Sequence, residues 1–357
     1  MDFFCGTGGF SLGAANAGFN VVGAYDVDEN LTFSHRANFP DTNLVLRDVA
    51  DLKGREVIDV FGEEIDLIFG GPPCQGFSMI GHRSESDPRR DLLGHFFRLV
   101  TEIRPKAFVM ENVEGLLLGQ ARTVLNKAQR CAKSAGYTVL EPMVLNAADF
   151  GAPTKRRRAF VIGFLPNRCA TITTEMFQPN GHMAVTVGDA LSGLSSSRPL
   201  AEKEVAFDQN QMTSSEELSD YARKLASPDL AFTGNHPTKH TSKVVKRFSK
   251  VRPGKSDPIG KHHRLRLDGL CPTLRAGTGS DKGSFQSVRP IHPVEDRVIT
   301  VREAARLQGF PDRHLFHPTK WHSFRQIGNS VSPIISKEIL SVVYRQLKDY
   351  AQALEFG

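Results

Sequence analysis

One cysteine lies in a short, constrained loop that could carry a reactive thiol. The loop reads Gly70–Gly71–Pro72–Pro73–Cys74–Gln75–Gly76–Phe77–Ser78 and follows an apolar run at residues 65–69. That run is short and ends at glycines, which is typical of a buried strand. Prolines stiffen the backbone and glycines let a ligand approach it, at the strand end where open α/β sheets bind their ligands. Taken alone, Cys74 is equally consistent with a nucleophile and with a small buried apolar side chain.

A glycine-rich turn near the start of the chain predicts a site for a nucleotide-like ligand. Asp2–Phe3–Phe4–Cys5–Gly6–Thr7–Gly8–Gly9–Phe10 indicates a strand end that runs into a turn and then a helix. The next predicted strand, residues 20–25, ends at Asp26 and Asp28. An acidic residue about 20 positions after such a turn can bind ribose hydroxyls. The same two acids could instead cap the helix that starts near Glu29.

Two further polar clusters follow or precede predicted strands. Glu111–Asn112–Val113 ends the strand at residues 106–110, and Thr154–Lys155–Arg156–Arg157–Arg158 leads into the strand at residues 159–163. Alternate residues of an extended segment share a face, so Arg156 and Arg158 should point the same way. Glu111 could also be a helix-capping carboxylate, and the arginines could be a surface basic cluster.

Short strands, among them one near residues 137–145, alternate with helices through residue 165, which predicts a doubly wound, largely parallel α/β sheet. Residues 166–290 are polar and rich in Ser, Thr, Pro and Gly, so we expect a second, smaller and less regular domain there. Regularity returns in residues 291–357, which we assign to the first domain. Thr300 and Glu303 form a capping box, and Ser332 and Pro333 begin a final helix.

Composition excludes two classes of protein and favours a polyanionic partner. The 357 residues contain no apolar run near the ~20 residues of a membrane helix and no signal peptide. The five cysteines form neither a disulfide framework nor a zinc pattern, and His262 and His263 have no further ligand at metal spacing. Residues 239–266 hold ten Lys or Arg against one acid, so the net charge of +6 leaves −3 for the remainder. A basic run is often only a solvated surface, but its restriction to one segment indicates nucleic acid.

In this order and spacing the motifs resemble those of the bacterial and phage DNA (cytosine-5)-methyltransferases. The resemblance covers residues 2–165 and 272–355. Six motifs carry it: the glycine turn at residues 2–9, Pro73–Cys74–Gln75, Glu111–Asn112–Val113, the paired Arg156 and Arg158, residues 302–311, and Gln326–Ile327–Gly328–Asn329–Ser330–Val331.

The resemblance implies a Rossmann-like, S-adenosylmethionine-dependent methyltransferase sheet in residues 1–165, a target-recognition domain in 166–290 and a return to the catalytic domain in 291–357. Two positions depart from the family pattern. Thr154 stands where the family has Gln, whereas Val27 stands at the family's aromatic or aliphatic position after the ribose acid and can pack against an adenine. Only Met1 precedes Asp2, where the family has several apolar residues, so we expect the natural protein to begin upstream or this chain to be a less stable truncation.

The implied reaction is methylation of C5 of cytosine in a specific double-stranded DNA sequence. Cys74 as a thiolate adds to C6, and Glu111 hydrogen-bonds N3 and the exocyclic amine. Arg158 braces the base or the Cys74 loop, and Arg156 contacts the flipped nucleotide or Glu111. Because neither face of the ring is accessible inside a duplex, the target must be flipped out.

The resemblance also implies residues that bind S-adenosylmethionine and DNA. The cofactor residues are Phe4, Gly6, Thr7, Gly9, Asp26, Val27, Asp48, Pro73, Leu92, Asn329 and Ser330. The DNA-binding residues are Thr273 and Arg275, in a Thr-Leu element, and Lys243, Lys246 and Arg247 in the basic segment. No metal is expected. We expect a cytoplasmic, nucleoid-associated monomer that acts in restriction–modification beside a cognate endonuclease, or as an orphan methylase.

Three other functions remain open from sequence. A tRNA cytosine-5 methyltransferase would share the catalytic motifs, although the Cys-Phe-Thr tripeptide typical of that group is absent. A catalytically inactive relative that only binds DNA is opposed by the intact Cys74 and Glu111. A nicotinamide-dependent oxidoreductase would explain the glycine turn and Asp26, but it leaves Pro73–Cys74–Gln75 and the basic segment without a role.

Overall fold

The computed structural model describes residues 1–73, 92–179, 181, 183–200, 208–277 and 289–356. It divides into two units. Unit 1 comprises Met1–Asn146, Arg157–Asn180 and Ile335–Gly357, and unit 2 comprises Ala147–Arg156 and Gly181–Ile334. Residues 291–334 thus belong to unit 2, whereas the sequence pattern assigns them to the first domain. The division into a catalytic domain and a target-recognition domain at the predicted boundaries stays a prediction.

A mostly parallel sheet forms the centre of unit 1 and confirms the predicted doubly wound fold. Among the described residues its eight strands run in the order β3-β2-β1-β4-β5-β8-β6, and β7 also pairs with β8. Strands β1 to β5 pair in parallel, and β8 is antiparallel to β5. The strands are β1 (Asp2–Phe3), β2 (Gly23–Asp26), β3 (Asn43–Leu46), β4 (Leu67–Gly70), β5 (Ala107–Asn112), β6 (Thr138–Val139), β7 (Met143–Asn146) and β8 (Arg157–Phe164).

The central strands β4 and β5 are buried along their whole length and mostly apolar, because helices cover both faces of a doubly wound sheet. Every residue of β4 and of β5 is buried. Phe108 on β5 packs against the ring of Phe97, with centroids 5.4 Å apart, and against Tyr137 at the same distance. Burial of each such large apolar side chain contributes roughly 1.5–3 kcal/mol to the free energy of unfolding.

Helices of both units follow the periodicity that the sequence predicts. In α5 the buried residues recur at intervals of three and four, from Leu93 to Ile103, as expected for a helix with one apolar face. The helices are α1 (Gly9–Asn16), α2 (Glu29–Thr32), α3 (His35–Asn38), α4 (Gly54–Phe61), α5 (Leu92–Ile103), α6 (Gly119–Ser134), α7 (Val187–Leu191), α8 (Asp220–Leu225), α9 (Ser242–Phe248), α10 (Val301–Gln308), α11 (Lys320–Asn329) and α12 (Pro333–Phe356).

Unit 2 has little regular sheet and is built around α10. Its strands β9 (Ser197–Pro199), β10 (Gln209–Met212) and β11 (Ala231–Thr233) form a small antiparallel sheet in the order β11-β10-β9. The predicted capping box of α10 is confirmed, since Thr300 N donates to Glu303 Oε2 at 2.7 Å and Glu303 N donates to Thr300 Oγ1 at 3.2 Å. All eight residues of this helix are buried.

Two strand predictions differ from the structure. The strand predicted at residues 20–25 begins only at Gly23, and the one predicted near residues 137–145 is divided into β6 and β7. Both of the shorter strands pair with β8, at different parts of its length. None of the helices in the described part of the chain combines the length and apolar character needed to cross a membrane.

His35, on α3, is a buried ionisable side chain of unit 1. It is fully buried, its ring lies 4.8 Å from that of Phe39, and neither ring nitrogen has a hydrogen-bond partner among the described residues. Burial, helped by the nearby charge of Arg36, lowers the pKa of His35 to about 4. The native state therefore holds this imidazole neutral where an unfolded chain protonates it.

We expect His35 to make unit 1 acid-sensitive. Because its folded-state pKa lies below the ordinary value of about 6.5, the unfolded state binds more protons between about pH 6.5 and pH 4. The free energy of unfolding should fall by about 2 kcal/mol from pH 7 to pH 5 on account of this residue. In His35→Phe this part of the fall in the free energy of unfolding should be absent, as measured by urea unfolding at pH 7 and pH 5. His236→Phe, at an exposed histidine, should leave it in place, and an unchanged loss in His35→Phe would contradict the assignment.

Candidate active site

The carboxyl ends of β4 and β5 bring the segment before Cys74 against Glu111. Leu67–Gly70 pairs in parallel with the first four residues of β5, so both strands end at the same edge. Asn112 Nδ2 donates to Pro72 O at 3.0 Å. A Cβ on Gly71 would lie 3.1 Å from Glu111 Oε2, so a glycine allows this close approach. Cys74 itself lies outside the described residues.

Glu111 is a nearly buried carboxylate held by Arg158. Its Oε1 lies 2.8 Å from Arg158 Nε, and the two side chains are 10% and 16% exposed. Burial of a carboxylate is unfavourable unless it is paired and hydrogen-bonded, and the guanidinium supplies both. Arg158 Nη1 also donates to Arg157 O at 2.8 Å, which fixes the guanidinium. Since Arg158 occupies Oε1, Oε2 is the oxygen that faces Gly71.

A second carboxylate and arginine lie beside this pair in sequence but at the surface. Arg157 Nε lies 2.8 Å from Glu114 Oε1, and both side chains are more than two-fifths exposed. An exposed ion pair of this kind contributes ~0–1 kcal/mol to stability. The contrast separates Glu111 and Arg158, whose side chains are mostly shielded from solvent, from Glu114 and Arg157, which are solvated.

Arg156 has partners that the sequence did not predict. In unit 2 its guanidinium is 2% exposed and donates to three backbone carbonyls. Nη1 contacts Leu274 O at 3.2 Å, and Nη2 contacts Gly328 O at 3.0 Å and Ser330 O at 2.6 Å. The predicted contact of Arg156 with the flipped nucleotide or Glu111 stays a prediction, and the observed role of the side chain is to hold backbone segments.

Asp26 joins the glycine turn to the end of β2. Its Oδ2 accepts from Gly6 N at 2.8 Å, and its Oδ1 accepts from Val27 N at 2.8 Å and from Asp28 N at 3.0 Å. Burial raises the pKa of Asp26, against the lowering effect of these hydrogen bonds. Asp28 instead caps α2, accepting from Asn30 N and Leu31 N at 3.0 Å. The capping interpretation therefore holds for Asp28, and Asp26 keeps a half-buried carboxylate beside the turn.

The glycine turn leaves space for a ligand. Gly6 has a φ of +50°, and a Cβ built on it would meet no described atom within 4 Å. Gly8, with a φ of +86°, is blocked, because its Cβ would lie 2.2 Å from Phe39 Cε2. Phe4 also has a positive φ of 67°, an uncommon conformation for a bulky residue and a frequent one at functional sites. Open space beside Gly6 and a carboxylate with spare lone pairs fit a ligand that carries hydroxyl groups.

The other predicted cofactor residues of unit 1 differ in exposure. Val27 is 60% exposed, as a side chain that packs on a ligand could be. Thr7 and Gly9 are buried, Pro73 and Leu92 are half-buried, and Asp48 is exposed, with its Oδ1 accepting from Ala50 N at 2.9 Å. In unit 2, Asn329 is exposed and Ser330 is half-buried.

The predicted DNA-binding residues of unit 2 also fall into two groups. Lys243, Lys246 and Arg275 are exposed. Arg247 Nε instead lies 3.0 Å from Oδ1 of the fully buried Asp257, so the charge of Arg247 has a structural partner. Thr273 Oγ1 donates to Lys155 O at 2.5 Å.

The paired histidines of the basic segment have ordinary polar partners. His262 Nδ1 lies 2.7 Å from Arg289 O, and His263 Nδ1 lies 3.4 Å from Ser256 Oγ. Across the described ranges, no three His, Cys, Asp or Glu side chains group in a way that could hold a metal ion. The two histidines therefore take part in the local structure of unit 2.

Asn112 is a residue whose role the sequence analysis did not assign. It follows Glu111 directly, and besides its bond to Pro72 O its Oδ1 accepts from Val113 N at 2.8 Å. Its side chain thus ties the end of β5 to the segment before residue 74. Its position in the Glu111–Asn112–Val113 motif was the signal that could have revealed it.

Comparison with known proteins agrees with this geometry. The C-5 cytosine-specific DNA methylase family model matches residues 1–345. The type II methyltransferase M.XorII of Xanthomonas oryzae pv. oryzae is 39% identical over 364 residues, covering 98% of this chain and 85% of the relative. M1.HphI of Haemophilus parahaemolyticus, also a type II methyltransferase, is 31% identical over 351 residues, covering 97% and 86%.

Solved structures give the same result. An E. coli protein encoded within a prophage and described as a DNA modification methyltransferase superposes with a TM-score of 0.83 at 38% identity, covering 97% of this chain and 98% of that one. The S. pombe Dnmt2 methyltransferase, at 16% identity and a TM-score of 0.65 over 97% and 98%, shares the fold. The chain belongs to the C-5 cytosine-specific DNA methylase family and is a DNA (cytosine-5-)-methyltransferase.

Proposed function

We propose that this enzyme transfers a methyl group from S-adenosylmethionine to C5 of cytosine within a specific double-stranded DNA sequence, through a covalent bond between Cys74 and C6. The observation that carries the proposal is the buried Glu111–Arg158 pair beside the backbone of Gly71. A fixed carboxylate next to the segment that leads to Cys74 is the arrangement that nucleophilic attack on cytosine requires.

C5 of cytosine is a poor nucleophile, so the ring must be activated. Addition of the Cys74 thiolate to C6 turns the ring into an enamine whose C5 can take a methyl group. S-adenosylmethionine, when bound, supplies that methyl group as an electrophile. A base then removes the C5 proton, the bond between Cys74 and C6 breaks, and the thiolate is restored.

Glu111 assists the addition through the oxygen that Arg158 does not hold. Its Oε2 can hydrogen-bond N3 and the exocyclic amine of the ring, which makes C6 more electrophilic. Arg158 keeps the carboxylate from rotating, because one oxygen is fixed at 2.8 Å. Glu111 is thus the proposed catalytic residue beside Cys74, and Arg158 orients it.

S-adenosylmethionine fits the space beside the glycine turn. The carboxylate of Asp26 can accept from ribose hydroxyls, and the exposed Val27 can pack on the adenine. The other proposed cofactor residues of unit 1 are Phe4, Gly6, Thr7, Gly9, Asp48, Pro73 and Leu92, and the resemblance implies two in unit 2, Asn329 and Ser330.

Unit 2 would hold the DNA duplex while the target cytosine is flipped out. Thr273 and Arg275 would meet backbone phosphates, and the lysines on and after α9 would supply positive charge. Lys243, Lys246 and Lys250 are all exposed and are spaced three and four residues apart. Arg247, already paired with Asp257, would contribute mainly to the stability of this surface.

The biological setting follows from the relatives. Those with curated names are type II methyltransferases, so we infer a role in restriction–modification, with a cognate endonuclease that cuts the same unmethylated site. The alternative is an orphan methylase, which acts without a cognate endonuclease. We expect a monomer in the cytoplasm, associated with the nucleoid. Bisulfite sequencing of DNA from cells that express the protein identifies the methylated site.

Covalent trapping tests the mechanism. A duplex with 5-fluorocytosine at the site found by bisulfite sequencing should form an irreversible complex, because fluorine at C5 does not leave as a proton does. Cys74→Ser should abolish both trapping and methyl transfer and keep S-adenosylmethionine affinity within a few-fold, because a serine hydroxyl is far less nucleophilic at neutral pH. Cys131→Ser, at an exposed cysteine, serves as the control. Turnover by Cys74→Ser would overturn the assignment.

The trapping experiment can also compare a substitution at Glu111 with a matched substitution at Glu114. Glu111→Gln should slow trapping by about 10²–10⁴-fold, the usual contribution of a positioned acid or base. Glu114→Gln removes a carboxylate of the exposed pair and should change the rate less than about twofold. Equal effects of the two substitutions would show that Glu111 has no special role.

Two glycine variants test whether the cofactor binds at the glycine turn. Gly6 and Gly62 both have positive φ, +50° and +85°, and a Cβ on either meets no described atom within 4 Å. Gly6→Ala should therefore destabilise the protein by roughly 1–2 kcal/mol. Gly62→Ala should cost at least as much, because a φ of +85° with a ψ of 171° lies in a region that essentially only glycine adopts. Only Gly6→Ala should weaken S-adenosylmethionine binding in calorimetry, since only its methyl group would enter the ligand space. Unchanged affinity in Gly6→Ala would place the cofactor elsewhere.

The salt dependence of DNA binding tests the lysines. Each of Lys243→Gln, Lys246→Gln and Lys250→Gln should lower the slope of log affinity against log salt by about one. Lys127→Gln and Lys133→Gln, at exposed lysines of α6, are the matched control and should leave the slope unchanged. Arg247→Gln should lower the melting temperature, because it leaves the buried Asp257 without its ion pair. If all three variants keep the wild-type slope, these lysines form a solvated surface that does not contact DNA phosphates.

A further inference from the structure

Two loops of unit 2 pack backbone against backbone. The 272–277 loop contains Thr273 and Arg275, and the 328–332 loop contains Asn329 and Ser330. A Cβ on Gly328 would lie 2.3 Å from Ala276 N, 2.5 Å from Arg275 C and 2.6 Å from Ala276 Cα. Real Cβ atoms do not approach backbone so closely, so position 328 admits no side chain unless the 272–277 loop moves.

One guanidinium ties the same two loops together. Arg156 Nη1 donates to Leu274 O at 3.2 Å, on the first loop. Its Nη2 donates to Gly328 O at 3.0 Å and to Ser330 O at 2.6 Å, on the second. The guanidinium is planar and rigid, so these bonds fix the separation of the carbonyls more tightly than a flexible ammonium group would.

The 328–332 loop is also fixed from its other side. Gln308 Nε2, on α10, donates to Ser330 O at 3.1 Å, and Ser332 Oγ donates to Gln308 O at 2.7 Å. Ser330 O thus accepts from both Arg156 and Gln308. This carbonyl has both of its acceptor sites occupied, which leaves the backbone of Ser330 little freedom to move independently of Arg156.

We propose that Arg156 and the Gly328 contact couple DNA binding to S-adenosylmethionine binding. This inference rests on the proposed function, in which Thr273 and Arg275 meet DNA and Asn329 and Ser330 meet the cofactor. Leu274, the partner of Arg156, lies between the two DNA residues, and Asn329 lies between Gly328 and Ser330, whose carbonyls also accept from Arg156. Arg156 is therefore a positioning residue for both ligands.

The link couples the two loops because they cannot separate without a large energetic cost. A shift of the 272–277 loop must either break hydrogen bonds of a buried charged group or carry the 328–332 loop with it. DNA that orders the first loop thereby orders the second. Coupling of this kind is reciprocal, so the cofactor must raise DNA affinity by the same factor as DNA raises cofactor affinity.

A purely structural role for Arg156 gives a different result. In that case its loss would lower stability and both affinities, and the ratio of cofactor affinity with and without DNA would not change. The ratio therefore separates coupling from general damage to unit 2.

The experiment measures that ratio with S-adenosylhomocysteine, which cannot be turned over, and a duplex that carries the site found by bisulfite sequencing. Wild-type protein should bind S-adenosylhomocysteine at least about fivefold more tightly with the duplex than without it. Arg156→Gln and Arg156→Lys should reduce this factor to less than about twofold. Arg157→Gln, at the neighbouring exposed arginine, removes the same charge outside the link and should keep the wild-type factor.

Hydrogen exchange of the wild-type protein decides the matter if the Arg156 variants do not fold. The duplex alone should slow exchange of the backbone amides in residues 328–332, with no cofactor present. A wild-type coupling factor of one, an unchanged factor in folded Arg156→Gln, or no protection of these amides would overturn the proposal. Each of these results is compatible with full methylation activity. Absence of both methylation and S-adenosylhomocysteine binding would instead refute the proposed function.

Discussion

A buried guanidinium must replace its lost water contacts with protein hydrogen-bond partners, and unit 2 depends on this constraint. The four buried arginines among the described residues all lie in this unit. Each donates to backbone carbonyls in loops or near the ends of helices and strands. Arg264 contacts the carbonyls of Phe248, His292 and Glu295, Arg302 those of Thr233, Pro311 and His314, Arg306 those of Ala190 and Ser192, and Arg156 those of Leu274, Gly328 and Ser330.

This arrangement explains how an irregular unit can be well defined. A chain with short strands leaves many carbonyls without ladder partners, and buried carbonyls require donors. Arginine can supply up to five N–H groups in a fixed plane, so one side chain can join several loops. Carboxylates balance part of the charge, as in the fully buried pair of Arg306 and Asp312, whose atoms lie 2.6 Å apart. Burial lowers the pKa of Arg302 to about 10, which still leaves it charged at neutral pH.

Unit 1 meets the same requirement by regular pairing. Its ladders satisfy much of the backbone, so the core can be largely apolar, and the polar side chains of the candidate site stand where strands end. Glu111 and Asp26 both stand at such ends, on β5 and β2. Their environments differ, since Glu111 is held by the charge of Arg158 and Asp26 by backbone amides. Glu111 keeps Oε2 available for the proposed hydrogen bonds to the cytosine ring, and Asp26 keeps lone pairs that can accept from hydroxyl groups.

Much of unit 1 could be predicted from sequence because its signals are local. Continuous apolar runs predicted β4 and β5 in unit 1, and in unit 2 the capping box predicted the start of α10. The partners of Arg156 and Arg247 could not be predicted, because a backbone carbonyl carries no sequence signal and Asp257 is ten residues from Arg247. The divided strand at residues 137–145 was missed for a similar reason, since its two parts are defined by their pairing with β8.

The Gln326–Ile327–Gly328–Asn329–Ser330–Val331 motif shows why recognising a motif does not by itself reveal what each residue does. Its serine has an obvious polar side chain, yet among the described residues Ser330 Oγ donates only to Val331 O, at 3.0 Å, and the contacts to Arg156 and Gln308 use its backbone carbonyl. Gly328 is required because the backbone of Arg275 and Ala276 fills the space of a Cβ. Packing between two loops thus restricts this sequence as strongly as ligand chemistry does. A relative could keep the cofactor chemistry and change the motif, provided that its 272–277 loop took another path.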